Sequence, residues 1–560
     1  MSRLAMLAVL VLGLWGVVLG RAATLASHRD ALQSVALRQQ IGMATLQPQP
    51  GRILDHAGRI LAVSEPQPSL FADPSAIADP DRFAGQVADA LSLDPAAERR
   101  LGDEIKRKRT RRFVWIDRRV TDDAVVALRN AGLPPEAWGV RQELRRIYPY
   151  GPVASHLVGF RDIDHVAQAG VEQRFSAELS GAPGHRRYVR DSRGRPLLQL
   201  DQMTEAVRPG SDIRLAVDTA VASIVGRELD ATMDAFGPAW AAAIVVDVRT
   251  AEIRCIETRP TFDPNRPAST LAAGFDHATR TTFEPGSVVK PLLAATALDA
   301  GLCSLSEPIA VAEGQTVFGN RRLKDPIRSP TASLSEGLMR SSNLIAAAVA
   351  GRLGPHETHR ALEQVGFGRP VDGDLPQRRG GSLSEPADWS GYSLASHAIG
   401  YEFAVTPLHL ASAYTTLAAG GVRRPLRFLA SSESSVAERG RRVWTESTCR
   451  ALIAGPLRDV VTNGTATAAR LDHVDVFGKT GTAQQYDPTT GRYRSDNVTA
   501  VFAGGIPTER PRLVAVVVVS GPSRGGDSGG RVAAPAAVRI LRDADRLLFA
   551  SPTTAAAIAD

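Results

Sequence analysis

Three short stretches hold the residue types of covalent catalysis. In Phe283-Glu284-Pro285-Gly286-Ser287-Val288-Val289-Lys290-Pro291 a serine stands three residues before a lysine, so a hydroxyl nucleophile and an amine base share one face of a helix that starts there. Ser341-Ser342-Asn343 puts a hydroxyl and an amide side chain ahead of the apolar run Leu344 to Val349. Lys479-Thr480-Gly481-Thr482 follows the strand-like Val474 to Phe477, which brings a second amine, two hydroxyls and an open backbone to a strand edge. A lone Ser-x-x-Lys arises by chance in roughly one such chain of three, and a Lys-Thr-Gly in about a few per cent. All three in this order are specific.

Lysine is rare here. Of 66 Lys plus Arg, only Lys106, Lys108, Lys290, Lys324 and Lys479 are lysine. Where arginine serves as nearly every cation, a lysine marks a position that needs an amine able to lose its proton, and two of the five lie in these motifs.

The elements that must hold these residues can be read from pattern. Pro285-Gly286 breaks what precedes and Leu292 to Ala297 continues as good helix former, with Pro291 tolerable only in a first turn, so a helix is predicted to begin close to Ser287. Asp212 to Val217 and Ala241 to Val248 are apolar, β-branched runs on either side of a helical Thr219 to Phe236. Val498 to Gly504 and Leu513 to Val519 repeat the strand texture, Gly521 to Gly530 reads as a loop, and Ala533 to Leu548 as a closing helix. Sheet with helices packed on it is the expectation.

Ahead of this, Leu4 to Gly20 is an uncharged apolar run of about 17 residues, roughly 25 Å as helix. An uncleaved membrane anchor competes with a signal peptide, for which Gly20-Arg21-Ala22 is a poor cleavage site. A helical pattern over Ala26 to Gln40 follows, then two short strands around His56-Ala57-Gly58, a helix over Asp94 to Lys108 and a strand at Phe113 to Ile116. The cationic run Lys106 to Arg112 reads as a solvated helix end. Arg145 to Gly151 is turn-rich, Gly170-Val171-Glu172 opens a helix closed near Gly181, and Gly181 to Gly194 is a hairpin region. His156 and Glu172, as isolated residues, are expected to make structural hydrogen bonds. A boundary falls near Arg208-Pro209-Gly210.

With 560 residues, 44% hydrophobic and 22% charged, the chain is long enough for more than one domain and a large core. A net charge of +7 suits a surface beside anionic polymer or lipid, but no nucleic-acid motif accompanies it. Cys255, Cys303 and Cys449 have no metal-ligand spacing and an odd count, which excludes a full disulfide framework and leaves buried thiols as the expectation.

The motif set resembles the penicillin-binding proteins and serine β-lactamases, with their Ser-x-x-Lys, Ser-x-Asn and Lys-Thr-Gly. Gly51-Arg52-Ile53 with Asp55 and Gly58, Arg146-Ile147-Tyr148-Pro149, Gly170-Val171-Glu172, Ala404-Val405-Thr406-Pro407-Leu408 and Gly478 to Gln484 extend the likeness over about 50 to 545, to a class B, single-pass penicillin-binding protein. Phe283-Glu284-Pro285-Gly286-Ser287 leans toward the division-specific transpeptidase.

The resemblance implies an α+β fold: an antiparallel sheet with helices on both sides plus a helical subdomain, preceded by an elongated mixed α/β pedestal and one transmembrane helix. The expected divisions are 1–24 anchor, 25–210 pedestal, 211–548 transpeptidase domain and 549–560 tail. It implies a peptidoglycan D,D-transpeptidase acting through an acyl-serine and acylated by β-lactams, with residues after about 21 outside the cytoplasm. Ser287 is the implied nucleophile, Lys290 its base, Ser341 a proton relay, and Asn343 the holder of Lys290 and the substrate amide. Lys479, Thr480, Gly481 and Thr482 receive the substrate carboxylate, and the N–H groups of Ser287 and Thr482 form an oxyanion hole. The implied partners are D-Ala-D-Ala stem peptides, the membrane, a membrane glycosyltransferase and other division proteins, with no nucleic acid, cofactor or metal.

Leu344-Ile345 stands where the family usually has Val-Gly, Glu402 where Gly-Tyr-Gly is common, and Ser523 to Gly530 is a glycine-rich form of a usually different loop. The alternatives are an elongation-specific transpeptidase, a D,D-carboxypeptidase or β-lactamase in which water replaces the amine, and a catalytically silent scaffold, which intact Ser287, Lys290 and Lys479 argue against.

Overall fold

The computed structural model describes residues 3–27, 41–190, 196–266, 274–318, 321–375, 379–430, 440–487 and 489–549. The helical pattern over 28–40 and the tail from 550 lie outside them. The chain divides into two compact units, one of Met1–Gly51 with Ala177–Ser211, the other of Arg52–Ser176 with Asp212–Asp560.

In the first unit Arg3–Ser27 is a single helix, and Ala5–Ser27 is long and apolar enough to cross a membrane. Its large side chains from Met6 to Leu25 are exposed, a surface that a lipid phase would take out of water. Ile41–Leu46, Gly184–Arg190 and Pro196–Glu205 form a three-stranded antiparallel sheet with Gly184–Arg190 in the middle. Of the predicted hairpin region Gly181 to Gly194, the strand Gly184–Arg190 is present, residues 191–194 lie outside the described residues, and its partner strand Pro196–Glu205 falls beyond the predicted bounds.

The second unit opens with Ile53–Leu54 and Ile60–Ala72 around the expected turn. Asp55 shapes that turn by accepting the Ala57 and Arg59 N–H groups at 2.9 and 2.8 Å, as Asp side chains do in turns. Its other oxygen accepts the Thr219 hydroxyl at 2.8 Å. The helices Pro80–Leu91, Pro95–Arg107 and Asp122–Asn130 start on caps from Asp79, Asp94 and Thr121. They bury Phe83, Val87, Ile105 and Leu128 with Leu70 and Ala72 of the sheet. Arg145-Arg146-Ile147, read as turn, instead ends the strand Trp138–Ile147, which pairs with Ile60–Ala72 over its whole length. The predicted helix from Gly170 is two short pieces, Gly170–Arg174 and Ser176–Ser180.

The part that carries the three motifs is built on a five-stranded antiparallel sheet of β1 (Trp240–Asp247), β2 (Ile253–Arg259), β3 (Phe477–Asp487), β4 (Arg492–Ile506) and β5 (Leu513–Ser520), in the order β2-β1-β5-β4-β3. Helices α1 (Thr219–Phe236) and α5 (Ala534–Phe549) cover one face through Val221, Val225, Leu229, Val538 and Leu541. On the other face lies α4 (Pro407–Ala418), packed on β1 and β5 with all its residues buried. Helices α2 (Lys290–Asp299) and α3 (Asn343–Gln364) pack on each other. Because the sheet is covered on both sides, every residue of β1 and β5 is buried, which is why both read as continuous apolar runs.

Three local expectations change. Of Asp212 to Val217 only Ile213–Arg214 is strand; β3 begins at Phe477 and not at Val474; and Gly529 and Gly530, read as loop, start the short helix Gly529–Val532. β2 was not anticipated, because its buried Arg254 and Arg259 break the apolar pattern. Their charges are matched in place, Arg254 with Glu252 at 2.9 Å and Arg259 with Glu257 at 3.0 Å.

Candidate active site

Ser287 sits where two helical forms meet. Gly286–Val289 is a 3-10 turn and the α-helix proper, α2, starts at Lys290. In a 3-10 turn residues i and i+3 eclipse, so Ser287 and Lys290 share a face, although the hydrogen bonds of the Lys290 amine go to Ser341 and Asn343. Gly286 has φ 60, and a Cβ on it would meet that of Ala483 at 3.3 Å, so the turn can pass this close to β3 only with glycine. The stretch is held from outside by mutual hydrogen bonds of Phe283 and Val405, by Gly286 N–H to the Gly400 carbonyl at 3.0 Å, and by the buried Tyr414 hydroxyl, which donates to the Val288 carbonyl at 2.8 Å.

Lys290 is 3% exposed. Its amine donates to the Ser341 carbonyl and to Asn343 Oδ1, both at 2.7 Å, with the Ser341 hydroxyl at 3.4 Å. The two close partners can only accept. A neutral amine satisfies both with its two hydrogens and keeps its lone pair for a third direction. Burial favours that neutral form, the positive charge of Lys479 reinforces it, and Asp325 opposes it; the pKa lies well below that of free lysine.

Asn343 is oriented by donating from Nδ2 to the Lys324 carbonyl at 2.9 Å. Ser341 has φ 62, a left-handed conformation uncommon outside glycine and enriched at functional sites. Holding it is the buried Asp325, a residue to which no sequence signal pointed. One of its oxygens accepts the Ser342 hydroxyl at 2.6 Å and the Leu344 N–H at 2.8 Å, and the other the Ile327 N–H at 2.9 Å. It thereby holds Ser342, the N-cap of α3, satisfies a first-turn N–H of that helix and anchors the Ser341 to Asn343 turn. Asp325→Asn leaves an amide NH2 against one of these donors. The expected result is acylation by penicillin slowed about tenfold, the size of a lost charge-assisted bond. The rate–pH midpoint moves down, because the carboxylate that raises the Lys290 pKa is gone. An unchanged rate and midpoint in stopped-flow labelling would remove Asp325 from the site.

β3 is the edge strand of the sheet, so alternate N–H groups face away from β4. Gln484 N–H donates to the Tyr401 hydroxyl at 3.2 Å, which identifies the open side. Two residues earlier in unbroken register, Thr482 N–H faces the same way. Ser287 N–H, in the first turn of its helix, has no intrahelical acceptor. Lys479 is fully buried, its pKa pushed down to about 7 by burial alone, with its amine on the Thr480 carbonyl at 3.0 Å. The Thr480 hydroxyl meets that of Thr465 at 2.5 Å, and the Thr482 hydroxyl accepts Gly529 N–H at 3.0 Å.

A cleft of about 370 Å³ brings together Ser287, Ser341, Asn343, Tyr401, Thr480 and Thr482. Of the predicted residues, Lys290, Lys479 and Gly481 lie behind its wall. The two amines are thus set back from the cleft, whose surface is made of hydroxyls and N–H groups. Such an arrangement can deprotonate a serine, hold a carboxylate beside it and stabilise an oxyanion. Tyr401, Tyr414 and Thr465, like Asp325, were missed, since none lies in a motif of its own.

Residues 241–542 match the penicillin binding protein transpeptidase domain, and 45–215 the penicillin-binding protein dimerisation domain. The probable peptidoglycan D,D-transpeptidase PenA of Neisseria gonorrhoeae is 31% identical over 91% of this chain and 86% of its own. The peptidoglycan D,D-transpeptidase FtsI of Escherichia coli K12 is 31% identical over 87% of this chain and 81% of its own. Penicillin binding protein 3 of Mycobacterium tuberculosis, solved in complex with aztreonam, has the same fold: TM-score 0.69 at 22% identity, over 90% of this chain and 97% of that one.

Proposed function

This chain belongs to the class B penicillin-binding proteins, and from that premise we propose how it works as a peptidoglycan D,D-transpeptidase. Ser287 Oγ attacks the penultimate D-alanine carbonyl of a stem peptide while Lys290 takes its proton. The oxyanion is met by the N–H groups of Ser287 and Thr482. The proton passes by way of the Ser341 hydroxyl to the nitrogen of the terminal D-alanine, which leaves as its C–N bond breaks. The acyl-serine ester is then attacked by an amine of a neighbouring strand, whose proton returns through Lys290 to Ser287 Oγ. Thr480 and Thr482 hold the departing residue's carboxylate on the backbone of Gly481, with the charge of Lys479 behind them. A β-lactam offers an acyl carbonyl and a carboxylate to the same groups and acylates Ser287.

The observation that carries this reading is the Lys290 amine, buried and bound to two groups that can only accept. The test is covalent labelling by a fluorescent penicillin. Wild type is expected to label and Ser287→Ala to lose all label; an unlabelled wild type or a labelled variant would overturn the nucleophile assignment.

The likeness to FtsI supports a role in septal wall synthesis. The apolar helix Arg3–Ser27 fits a single-pass anchor, and we place the remainder outside the cytoplasm, where the substrate is. The matched stretches support reading 25–210 as the pedestal and 211–548 as the catalytic domain. No stretch before 210 has a recognisable glycosyltransferase motif, so a membrane glycosyltransferase, with other division proteins, is the partner we propose for supplying glycan strands.

A further inference from the structure

The open edge of β3 continues past the catalytic cleft into a second cavity of about 460 Å³, walled by Trp240, Glu284, Glu402, Gln485, Tyr486 and Tyr493. Tyr401 marks the boundary. Its hydroxyl takes the Gln484 N–H, and its ring meets that of Tyr493 edge-on at 5.4 Å. Thr480 and Thr482 line the first cavity, Ala483 to Tyr486 the second. An acyl group with its oxyanion at Thr482 N–H and its carboxylate end toward Thr480 has its other end directed along β3 into this second space.

The chemistry of that space differs from that of the whole chain. In a protein of net charge +7, the lining includes two carboxylates and, among the described residues, no lysine or arginine. Glu284 Oε1 accepts the Tyr493 hydroxyl at 2.8 Å and the Glu402 N–H at 2.9 Å, while Oε2 is buried with no partner among the described residues. Glu402 is exposed, with Oε1 accepting the Ser396 hydroxyl at 2.6 Å. It holds φ 65, at a position where the family this chain resembles commonly has glycine. The exposed rings of Tyr486 and Tyr493 offer π faces that attract cations.

We propose that this cavity is a subsite for an aliphatic ammonium group carried by a stem peptide, with Glu402 as the pairing carboxylate, Glu284 behind it and the tyrosines as walls. This rests on the acyl-serine reading above and deepens it: the enzyme selects substrates whose diamino acid keeps its side-chain amine free. The direction of β3 assigns that ammonium to the donor strand.

The test uses the full-length enzyme and a thioester donor peptide in two forms, side-chain amine free and acetylated, with thiol release followed at fixed acceptor. Wild type is expected to favour the free amine in kcat/KM by about fivefold, the upper range for an exposed ion pair. The ratio should fall to near one in Glu402→Gln and Glu402→Gly, and return in Glu402→Asp. A second arm fixes the donor and varies the acceptor amine. If the donor ratio is flat but the KM of a diamine acceptor rises in Glu402→Gln, the subsite stands and serves the acceptor. Flat results in both arms overturn it. Penicillin labelling of wild type in the same preparation separates the two levels, since label with flat ratios sinks the subsite alone, and absent label sinks the acyl-serine reading.

Discussion

Lys290→Arg is expected to abolish acylation of Ser287, lowering the penicillin labelling rate by about 10²- to 10⁴-fold, the contribution of a positioned general base. Guanidinium cannot lose its proton at neutral pH, whereas the Lys290 amine is driven toward neutrality by burial and by Lys479. The sign of the pH dependence follows. The base acts when deprotonated, so in wild type the rate climbs with pH and levels off well below the range where free lysine titrates. Lys479, pushed down to about 7, loses its charge above that pH. Its hold on a substrate carboxylate weakens there, and its push on Lys290 ends. The KM of a carboxylate-bearing donor is therefore expected to rise above pH 7, while that of the same donor as its ester stays level. Labelling of Lys290→Arg at the wild-type rate would show that another group is the base, and circular dichroism would confirm that the variant is folded.

The second large effect is on stability. Glu172 has no exposed surface and bonds Arg146 Nε at 2.6 Å and Arg161 Nε at 2.5 Å, both guanidiniums themselves buried. Glu172→Gln leaves two buried cations facing one neutral amide. Removing one partner from such a pair costs about 3–5 kcal/mol, far more than a surface ion pair. Urea unfolding of the full-length protein in detergent is expected to show the unfolding free energy lowered by that amount, with the midpoint moved down in proportion. A change below about 1 kcal/mol, the scale of an exposed pair, would mean that solvent reaches the cluster.

Glu172 also shows how much the sequence disclosed. Its local pattern carried no catalytic logic and a structural hydrogen-bonding role was the expectation, which the two arginines fulfil. That these arginines were Arg146 and Arg161 was not legible, because Arg146 lay in a stretch read as turn and is in fact on a strand. β2 escaped notice for the same reason. Charged residues normally argue against a buried strand, and only the pairing of Arg254 and Arg259 with neighbouring carboxylates allows it.

What the sequence by itself determined is which groups are the candidates for the chemistry: Ser287, Lys290, Ser341, Asn343 and Lys479 to Thr482, with the rarity of lysine singling out two of them. These are short-range patterns, and their geometry is largely set by one helical turn or one strand edge. Only the tertiary structure decided how they are held and tuned. Asp325, which bonds Ser342 and Leu344 beside the left-handed Ser341, and Tyr414, which ties down the Ser287 turn, are brought in by packing between distant segments. The depressed pKa values of both lysines come from burial, which no local pattern encodes. The acidic cavity beyond Tyr401 likewise exists only because β3, the Glu284 turn and the Glu402 loop converge, three segments whose proximity is a property of the folded chain.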